Sequence, residues 1–261
     1  MQAFQGYSRE ELIERRNELL KEYENYKNQG LKLDMSRGKP CSEQLDLSNG
    51  LFDDTSNLFS VDGTDCRNYG ILDGIKEAKA LFAEVFNLKP EQIFVGGNSS
   101  LNLMYDLVIK AIVLGLNGSE KPWGKYEKVK FLCPVPGYDR HFAITEQLGI
   151  EMINIPIKSD GPDMDMIEEL VANDETIKGM WSIPMYSNPT GITYSDTVVK
   201  RLASMKTKAP DFTIFWDNAY GVHHLYETED KLLDIISECE KAGNPNRAYM
   251  FSSTSKITFP G

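Results

Sequence analysis

From about residue 74 onwards, the chain alternates between two hydrophobic patterns. Segments with apolar residues at helical spacing predict helices, and short apolar runs between them predict strands. The predicted helices are 74–87, 100–115, 138–148, 163–173, 195–207 and 230–241. The predicted strands are 92–96, 128–133, 151–157, 178–183, 212–217 and 247–252. Because strands that alternate with helices form crossover units, the pattern predicts an α/β fold with a mostly parallel sheet flanked by helices.

The N-terminal region has a different pattern. Residues 8–28 predict a charged amphipathic helix that begins with a capping box of Ser8 and Glu11. The turn-forming residues that follow are typical of binding loops. We therefore divide the chain into residues 1–73, with the N-terminal helix and loops for substrate or interface contacts, and a main domain at 74–261.

Composition and charge narrow the class of protein. With 41% hydrophobic residues among 261, the chain can bury a substantial core. A net charge of -11 argues against a nucleic-acid partner, which would need a basic surface. The first twenty residues lack the apolar core of a signal peptide, so we expect a cytoplasmic protein without a membrane partner. The 4 cysteines form no C-x-x-C motif, and we expect neither a disulfide framework nor a metal site.

Candidate chemistry is concentrated where the predicted strands end. In parallel sheets, ligands bind beyond the carboxyl ends of the strands. The segments at these positions combine glycines, hydroxyls, aromatic rings and charged groups. They are Gly96–Ser100, Pro134–Tyr138, Ser187–Gly191, Asp217–Tyr220 and Ser252–Lys256.

Each of these segments also has a purely structural interpretation. Gly96–Ser100 could bind an anion at a helix N-terminus or simply cap that helix. Tyr138 could stack on a planar ligand or cover the core, and Tyr220 could be an ordinary half-buried tyrosine. Asp217, at the end of an apolar strand, requires a cation or caps the next segment. Lys256 is either a solvated lysine or one held by polar neighbours.

Taken together, the segments favour one cofactor. Pyridoxal phosphate requires a lysine able to form a Schiff base and an aspartate to pair with its pyridinium nitrogen. It also requires a phosphate cradle, a stacking aromatic ring and an asparagine. Six motifs occur in order: Tyr69-Gly70, Gly97–Ser100, Pro136–Tyr138, Ser187–Gly191, Asp217–Tyr220 and Ser253–Lys256. This set resembles the fold-type I, class I aminotransferases.

Two features resemble one subgroup in particular, the bacterial aspartate aminotransferases of subgroup Ic. They are the segment Met35–Pro40 and the presence of Tyr138 in place of the more usual stacking tryptophan. The resemblance implies that residues 74–261 form the pyridoxal-phosphate-binding large domain of the aspartate aminotransferase fold.

The resemblance implies a role for each residue around the cofactor ring. Lys256 would hold the cofactor as a Schiff base and move the substrate proton. Asp217 would pair with the pyridine nitrogen and favour its protonated form. Asn188 and Tyr220 would bind the phenolic oxygen, while Tyr138 stacks on the ring. Lys256, Asp217 and Tyr220 are the expected catalytic residues.

Further roles concern the phosphate, the substrate and the partner subunit. Tyr69 would reach the phosphate of the neighbouring subunit's cofactor, which implies a homodimer with shared active sites. Gly38, Arg37 and Asn188 would contact the substrate carboxylate. The four residues expected to hold the phosphate within the subunit are Asn98, Ser99, Ser100 and Ser253.

The sequence stops five residues after Lys256, whereas members of the family continue. The resemblance implies that a last strand of the large domain, a C-terminal small domain and two further arginines follow in family members. One of these arginines binds the substrate α-carboxylate and the other binds the phosphate. We therefore expect the given sequence to be C-terminally truncated and a poor catalyst by itself.

The resemblance implies transfer of an amino group between an L-amino acid, expected to be aspartate or another acidic donor, and a 2-oxo acid such as 2-oxoglutarate. Two alternatives use the same cofactor: β-elimination or decarboxylation, and a non-catalytic sensor domain. The absence of a basic helix-turn-helix segment in residues 1–75 counts against the sensor. A purely structural α/β protein would leave the six ordered motifs unexplained. His223 and His224 have no family role and are interpreted as core-edge or surface residues.

Overall fold

The computed structural model describes residues 4, 6–33, 38–53 and 57–260. The chain forms two compact units, Met1–Lys39 and Pro40–Gly261. The first contains helix α1, Arg9–Asn28, whose N-cap Ser8 forms the predicted capping box with Glu11. The proposed substrate and interface roles of residues 1–73 stay a prediction. No helix in the described ranges is long and apolar enough to cross a membrane.

The second unit contains the remaining helices and strands. Its helices are α2 Ser42–Asp46, α3 Lys76–Phe86, α4 Ser100–Val113, α5 Asp139–Gln147, α6 Met164–Asn173, α7 Asp196–Ser204 and α8 Ile235–Lys241. Its strands are β1 Lys130–Val135, β2 Glu151–Lys158, β3 Gly161–Pro162, β4 Ile177–Ser182, β5 Thr213–Asp217 and β6 Ala248–Phe251. Short 3-10 helices span Asn49–Phe52, Pro90–Gln92 and Trp123–Lys125.

The strands form one sheet in the order β3-β2-β1-β4-β5-β6. β2, β1, β4, β5 and β6 run parallel, and only the two-residue β3 pairs antiparallel, with β2. The predicted α/β fold with a mostly parallel sheet is therefore confirmed. The strand order reverses between β1 and β4, and such a reversal opens a crevice beyond the strand ends, where ligands bind.

The predicted strand at 92–96 is wrong. In the structure a 3-10 helix ends at Gln92, and the next residues form no strand. Their backbone link to another segment is the bond from the Val95 N–H to the Asp73 carbonyl, at 3.0 Å. Phe94 is 61% exposed. The local pattern is strand-like, but a strand needs a neighbouring ladder, and the described residues provide none beside it.

Two hydrophobic layers enclose the sheet. Because side chains alternate along a strand, Phe131, Trp181 and Phe215 pack with α4 and α5 on one face. Residues one position away, including Met180 and Trp216, pack with α6, α7 and α8 on the other face. The central strands β1, β4 and β5 are thus buried on both faces, which is typical of parallel sheets.

A buried ion pair lies near the amino ends of β4 and β5. Lys178 Nζ donates to Asp211 Oδ1 at 2.8 Å, and both side chains are almost fully buried. Asp211 Oδ2 accepts from Ser119 Oγ at 2.6 Å and from Trp123 Nε1 at 2.8 Å. Burial opposes ionisation, but these hydrogen bonds hold the pKa of Asp211 below its usual value. Every oxygen of this carboxylate is therefore satisfied.

Candidate active site

Asp217, the last residue of β5, meets His141 from the first turn of α5. Strand alternation places Asp217 on the same side as Phe215, which faces α5. His141 Nε2 lies 2.9 Å from Asp217 Oδ2, and the two side chains are 2% and 7% exposed. The His141 ring stacks on Trp181, with centroids 4.9 Å apart and an interplanar angle of 17°. The carboxylate is therefore held from one side by a well-packed imidazole.

The second carboxylate oxygen of Asp217 differs from the first in its hydrogen bonding. Oδ1 is buried and has no hydrogen-bond partner among the described residues. A buried acceptor without a donor costs free energy, all the more when it carries charge. The orphan atom suits a ligand that presents a charged N–H group, such as a pyridinium nitrogen. On this observation, the residues present fit the pyridine ring of the predicted cofactor.

Lys256 follows the neighbouring strand at the same edge of the sheet. The Asn218 N–H donates to the Phe251 carbonyl at 2.8 Å, which extends the β5–β6 pairing by one residue. Ser252 Oγ then donates to the Asn218 carbonyl at 3.0 Å. Four residues further on, Lys256 lies half-buried in a turn. Because parallel strands end on one side, the structure brings Asp217 and Lys256 to the same edge.

His223 lies within electrostatic reach of this lysine. Burial, and then the nearby Lys256 and His224, hold the pKa of His223 below its usual value. Its N–H donates to the Tyr220 carbonyl at 2.9 Å, so it belongs to the turn that carries Tyr220. His223 is therefore a neighbour of the candidate site.

The two predicted tyrosines lie close to Asp217. Tyr138 immediately precedes α5, and its ring packs edge-on against His141 with centroids 5.2 Å apart. Tyr220 is half-buried, and burial raises the pKa of its phenol, followed by the charges of Asp217 and Tyr138. The structure thus brings Tyr138, Asp217 and Tyr220 within interaction distance.

Asn188 lies on the loop between β4 and α7. This loop closes through the bond from the Ser187 N–H to the Ile192 carbonyl, at 2.8 Å. Asn188 is half-buried. Its loop contacts the segment after Tyr220 through Tyr186, whose hydroxyl lies 2.9 Å from His224 Nδ1. The predicted partners of the phenolic oxygen, Asn188 and Tyr220, therefore lie on loops that touch each other.

The residues expected to hold the phosphate occupy two places. Ser99 is the N-cap of α4, where its Oγ accepts from the Asn102 N–H at 3.4 Å, and Ser100 begins the helix. Asn98 is exposed just before them. A helix N-terminus favours an anion. Ser253, after β6, donates from Oγ to Ser255 Oγ at 3.0 Å. Their phosphate role stays a prediction.

The described contacts test none of the three remaining predicted residues, Tyr69, Gly38 and Arg37. Tyr69 is 98% exposed, and its contact with a neighbouring subunit stays a prediction. Gly38 is exposed and belongs to the first compact unit. Arg37 lies outside the described residues. The substrate roles of Gly38 and Arg37 therefore stay predictions.

His141 and Trp181 were not predicted as site residues. A lone histidine on a helix and a tryptophan inside a strand are ordinary core residues. One signal does exist for His141: it follows Tyr138 by three residues, and residues three apart share a helix face. The predicted stacking position of Tyr138 could therefore have pointed to His141.

Comparisons with known proteins identify the family of the chain. A family model described as aspartate amino-transferase matches residues 7–261. The aspartate aminotransferase of Corynebacterium glutamicum is 49% identical over 246 residues, which cover 94% of this chain and 57% of that protein. This chain therefore spans less than two thirds of that relative's length.

Solved structures extend the comparison. The crystal structure of an aspartate transaminase from Corynebacterium glutamicum has a TM-score of 0.89 at 47% identity, covering 99% of this chain and 61% of that one. An alpha-aminoadipate aminotransferase from Thermus thermophilus, complexed with N-(5'-phosphopyridoxyl)-L-leucine, has a TM-score of 0.65 at 21% identity, covering 86% and 53%; this likeness shows the fold alone. The chain belongs to the aspartate amino-transferase family, and that membership implies pyridoxal phosphate as its cofactor.

Proposed function

We propose that this chain carries the cofactor-binding site of an aminotransferase that moves an amino group between an L-amino acid and a 2-oxo acid. The observation that carries the proposal is the Asp217 carboxylate, buried at a strand end with Oδ2 held by His141 and Oδ1 without a partner among the described residues. The name of the Corynebacterium glutamicum relative supports aspartate, or another acidic amino acid, as the donor. A 2-oxo acid such as 2-oxoglutarate is the proposed acceptor.

When bound, pyridoxal phosphate supplies an electron sink that stabilises negative charge at the substrate Cα. Asp217 would keep the pyridine nitrogen protonated, because an opposite charge at contact distance favours the charged form. Lys256 Nζ would hold the cofactor covalently, and the same amine, once free, would carry the proton from the substrate Cα to the cofactor. Both tasks need a nucleophilic amine that can also act as a base.

The remaining residues orient the reacting groups. Asn188 and Tyr220 would donate to the ring hydroxyl oxygen, and Tyr138 would cover one ring face. Asn188, with Arg37 and the backbone of Gly38, would bind the substrate carboxylate. The phosphate would be held by Asn98, Ser99, Ser100, Ser253 and, from a second copy of the chain, Tyr69.

The test of the cofactor site is a titration of the purified chain with pyridoxal phosphate, followed by borohydride reduction and peptide mapping. We expect the label on Lys256. Lys256→Ala should abolish the label, whereas the surface control Lys206→Ala should leave it unchanged. A label on a different lysine would contradict the assignment.

The reaction type needs a second measurement. After aspartate is added to the loaded chain, mass spectrometry should detect pyridoxamine phosphate and the matching 2-oxo acid. Release of ammonia or carbon dioxide instead would favour β-elimination or decarboxylation. Because we expect the given sequence to be a poor catalyst by itself, the identity of the products separates these reactions, and their rate does not. Sedimentation velocity tests the proposed homodimer. The cytoplasmic location expected from the sequence stays a prediction.

A further inference from the structure

A single phenol joins two loops of the candidate site. Tyr186 lies two residues before Asn188, and its hydroxyl is 2.9 Å from Nδ1 of His224. The same oxygen accepts the N–H of Asp230 at 3.3 Å. Since His224 follows Tyr220 by four residues, this oxygen connects the loop of Asn188 with the segment of Tyr220.

The backbone conformation of Tyr186 is strained, which indicates that surrounding contacts hold this residue in place. Tyr186 has φ +48°, a left-handed conformation that is unfavourable for a bulky residue. Such a conformation persists only when surrounding contacts hold it. A second bridge supports it: Thr193 Oγ1 accepts from the Tyr186 N–H at 3.4 Å and donates to Asp230 Oδ2 at 2.6 Å.

The hydrogen-bond directions are mutually consistent. The phenol oxygen already accepts from Asp230, so its own hydrogen is available for His224 Nδ1. On the other side of the ring, His224 Nε2 lies 3.8 Å from Glu229 Oε2. An asparagine at position 224 would keep an acceptor near the position of Nδ1, whereas an alanine would not.

We propose that Tyr186 and His224 are positioning residues that set the distance between Asn188 and Tyr220 and thereby aim both donors at the cofactor's ring oxygen. This inference rests on the proposed function, which assigns that oxygen to Asn188 and Tyr220. Neither loop belongs to a helix or strand where they meet. The hydrogen bond between the two side chains therefore fixes the relative position of the two loops, as backbone hydrogen bonds fix neighbouring strands within the sheet.

The experiment compares Tyr186→Phe, His224→Ala, the double variant and His224→Asn with the parent chain. Tyr226→Phe is the matched control, since Tyr226 is 81% exposed. Three quantities are measured: the Kd for pyridoxal phosphate, the pH midpoint of the bound cofactor's visible absorption, and the urea midpoint of the cofactor-free chain.

Loss of the hydrogen bond between Tyr186 and His224 should raise the Kd about 2- to 10-fold in Tyr186→Phe and in His224→Ala. Tyr186→Phe also removes the acceptor of the Asp230 N–H, so its Kd should be the higher of the two. The pH midpoint should rise, because weaker donation to the ring oxygen destabilises its anionic form. The double variant should be no worse than Tyr186→Phe alone, since that single variant already removes the bond to His224. His224→Asn should restore most of the loss.

Two outcomes overturn the inference in distinguishable ways. If the parent chain binds no pyridoxal phosphate, or binds it without Lys256, the proposed function fails and the inference with it. If the parent binds through Lys256 but Tyr186→Phe matches Tyr226→Phe in Kd and pH midpoint, only the inference fails. A change confined to the urea midpoint would then assign the pair to stability alone.

Discussion

Replacing Asp217 by asparagine removes one charge from the centre of the candidate site and changes little else. His141 Nε2 lies 2.9 Å from Oδ2, and an amide oxygen can accept from it equally well. Oδ1, which has no partner among the residues described, becomes the amide nitrogen or oxygen. We therefore expect the free energy of unfolding of the cofactor-free chain to change by less than about 1 kcal/mol.

The effect on the cofactor should be much larger. A hydrogen bond to a charged group contributes roughly 1.5–3 kcal/mol, which corresponds to about a 10- to 150-fold change in Kd. Asparagine cannot hold the pyridine nitrogen in its charged form. Loss of preorganised charge stabilisation at a reacting centre typically costs ~3–4 kcal/mol. The rate of removal of the substrate Cα proton should therefore fall by a larger factor than the Kd for pyridoxal phosphate rises.

The assay pairs cofactor titration with urea denaturation, and the chain contains a matched control. Asp211 is also a buried aspartate, but Lys178 is its ion-pair partner. Asp211→Asn leaves that cation buried without its charge partner and should destabilise the chain by about 3–5 kcal/mol. The reasoning is refuted if Asp217→Asn binds pyridoxal phosphate within about threefold of the parent. It is equally refuted if this variant loses as much stability as Asp211→Asn.

Three further predictions concern packing and pH. Lys178→Met should destabilise the chain by about 3–5 kcal/mol in urea denaturation, because Asp211 then lies buried without a cation; a loss below about 1 kcal/mol would contradict this. Gly137→Ala should weaken cofactor binding, since an added Cβ would meet Phe142 Cζ at 2.8 Å beside Tyr138, whereas Gly50→Ala meets nothing within 4 Å and should bind normally. Burial raises the pKa of the Cys133 thiol to about 12, so its stabilising contribution is complete below about pH 9 and is lost as the pH rises towards 12. Plots of unfolding free energy against pH should fall less steeply for Cys133→Ala over that range, and parallel plots would refute the assignment.

The fold could be predicted where a local pattern reports burial. Strands β4 and β5 are fully buried runs, and α7 follows an N-cap serine, so their limits lie within three residues of those predicted. The segment 92–96 has the same apolar pattern, but whether it becomes a strand depends on a neighbour distant in sequence. β3 consists of Gly161 and Pro162 alone, and two residues carry no periodicity. The local hydrophobic pattern contains no information about which distant segments pair as strands.

The candidate site could be predicted as far as strand ends determine it. Asp217 ends a strand of the parallel sheet, and Tyr138 and Lys256 each follow one, so the topology alone brings them to one edge. The contact of Tyr186 with His224 depends on the conformation of two loops, including a left-handed residue at Tyr186. No motif in the sequence reports that geometry.

Two buried aspartates near opposite ends of β5 differ in how far the protein itself satisfies their oxygens. In sequence, Asp211 and Asp217 both flank β5. In the structure, both Asp211 oxygens are satisfied within the protein, by Lys178 and its hydrogen-bonding neighbours. Asp217 receives one hydrogen bond, from His141, and has a buried oxygen for which the described part of the chain supplies no donor. Folding alone would favour a partner for that atom, and under the proposed function a cofactor's pyridinium N–H group would supply the donor.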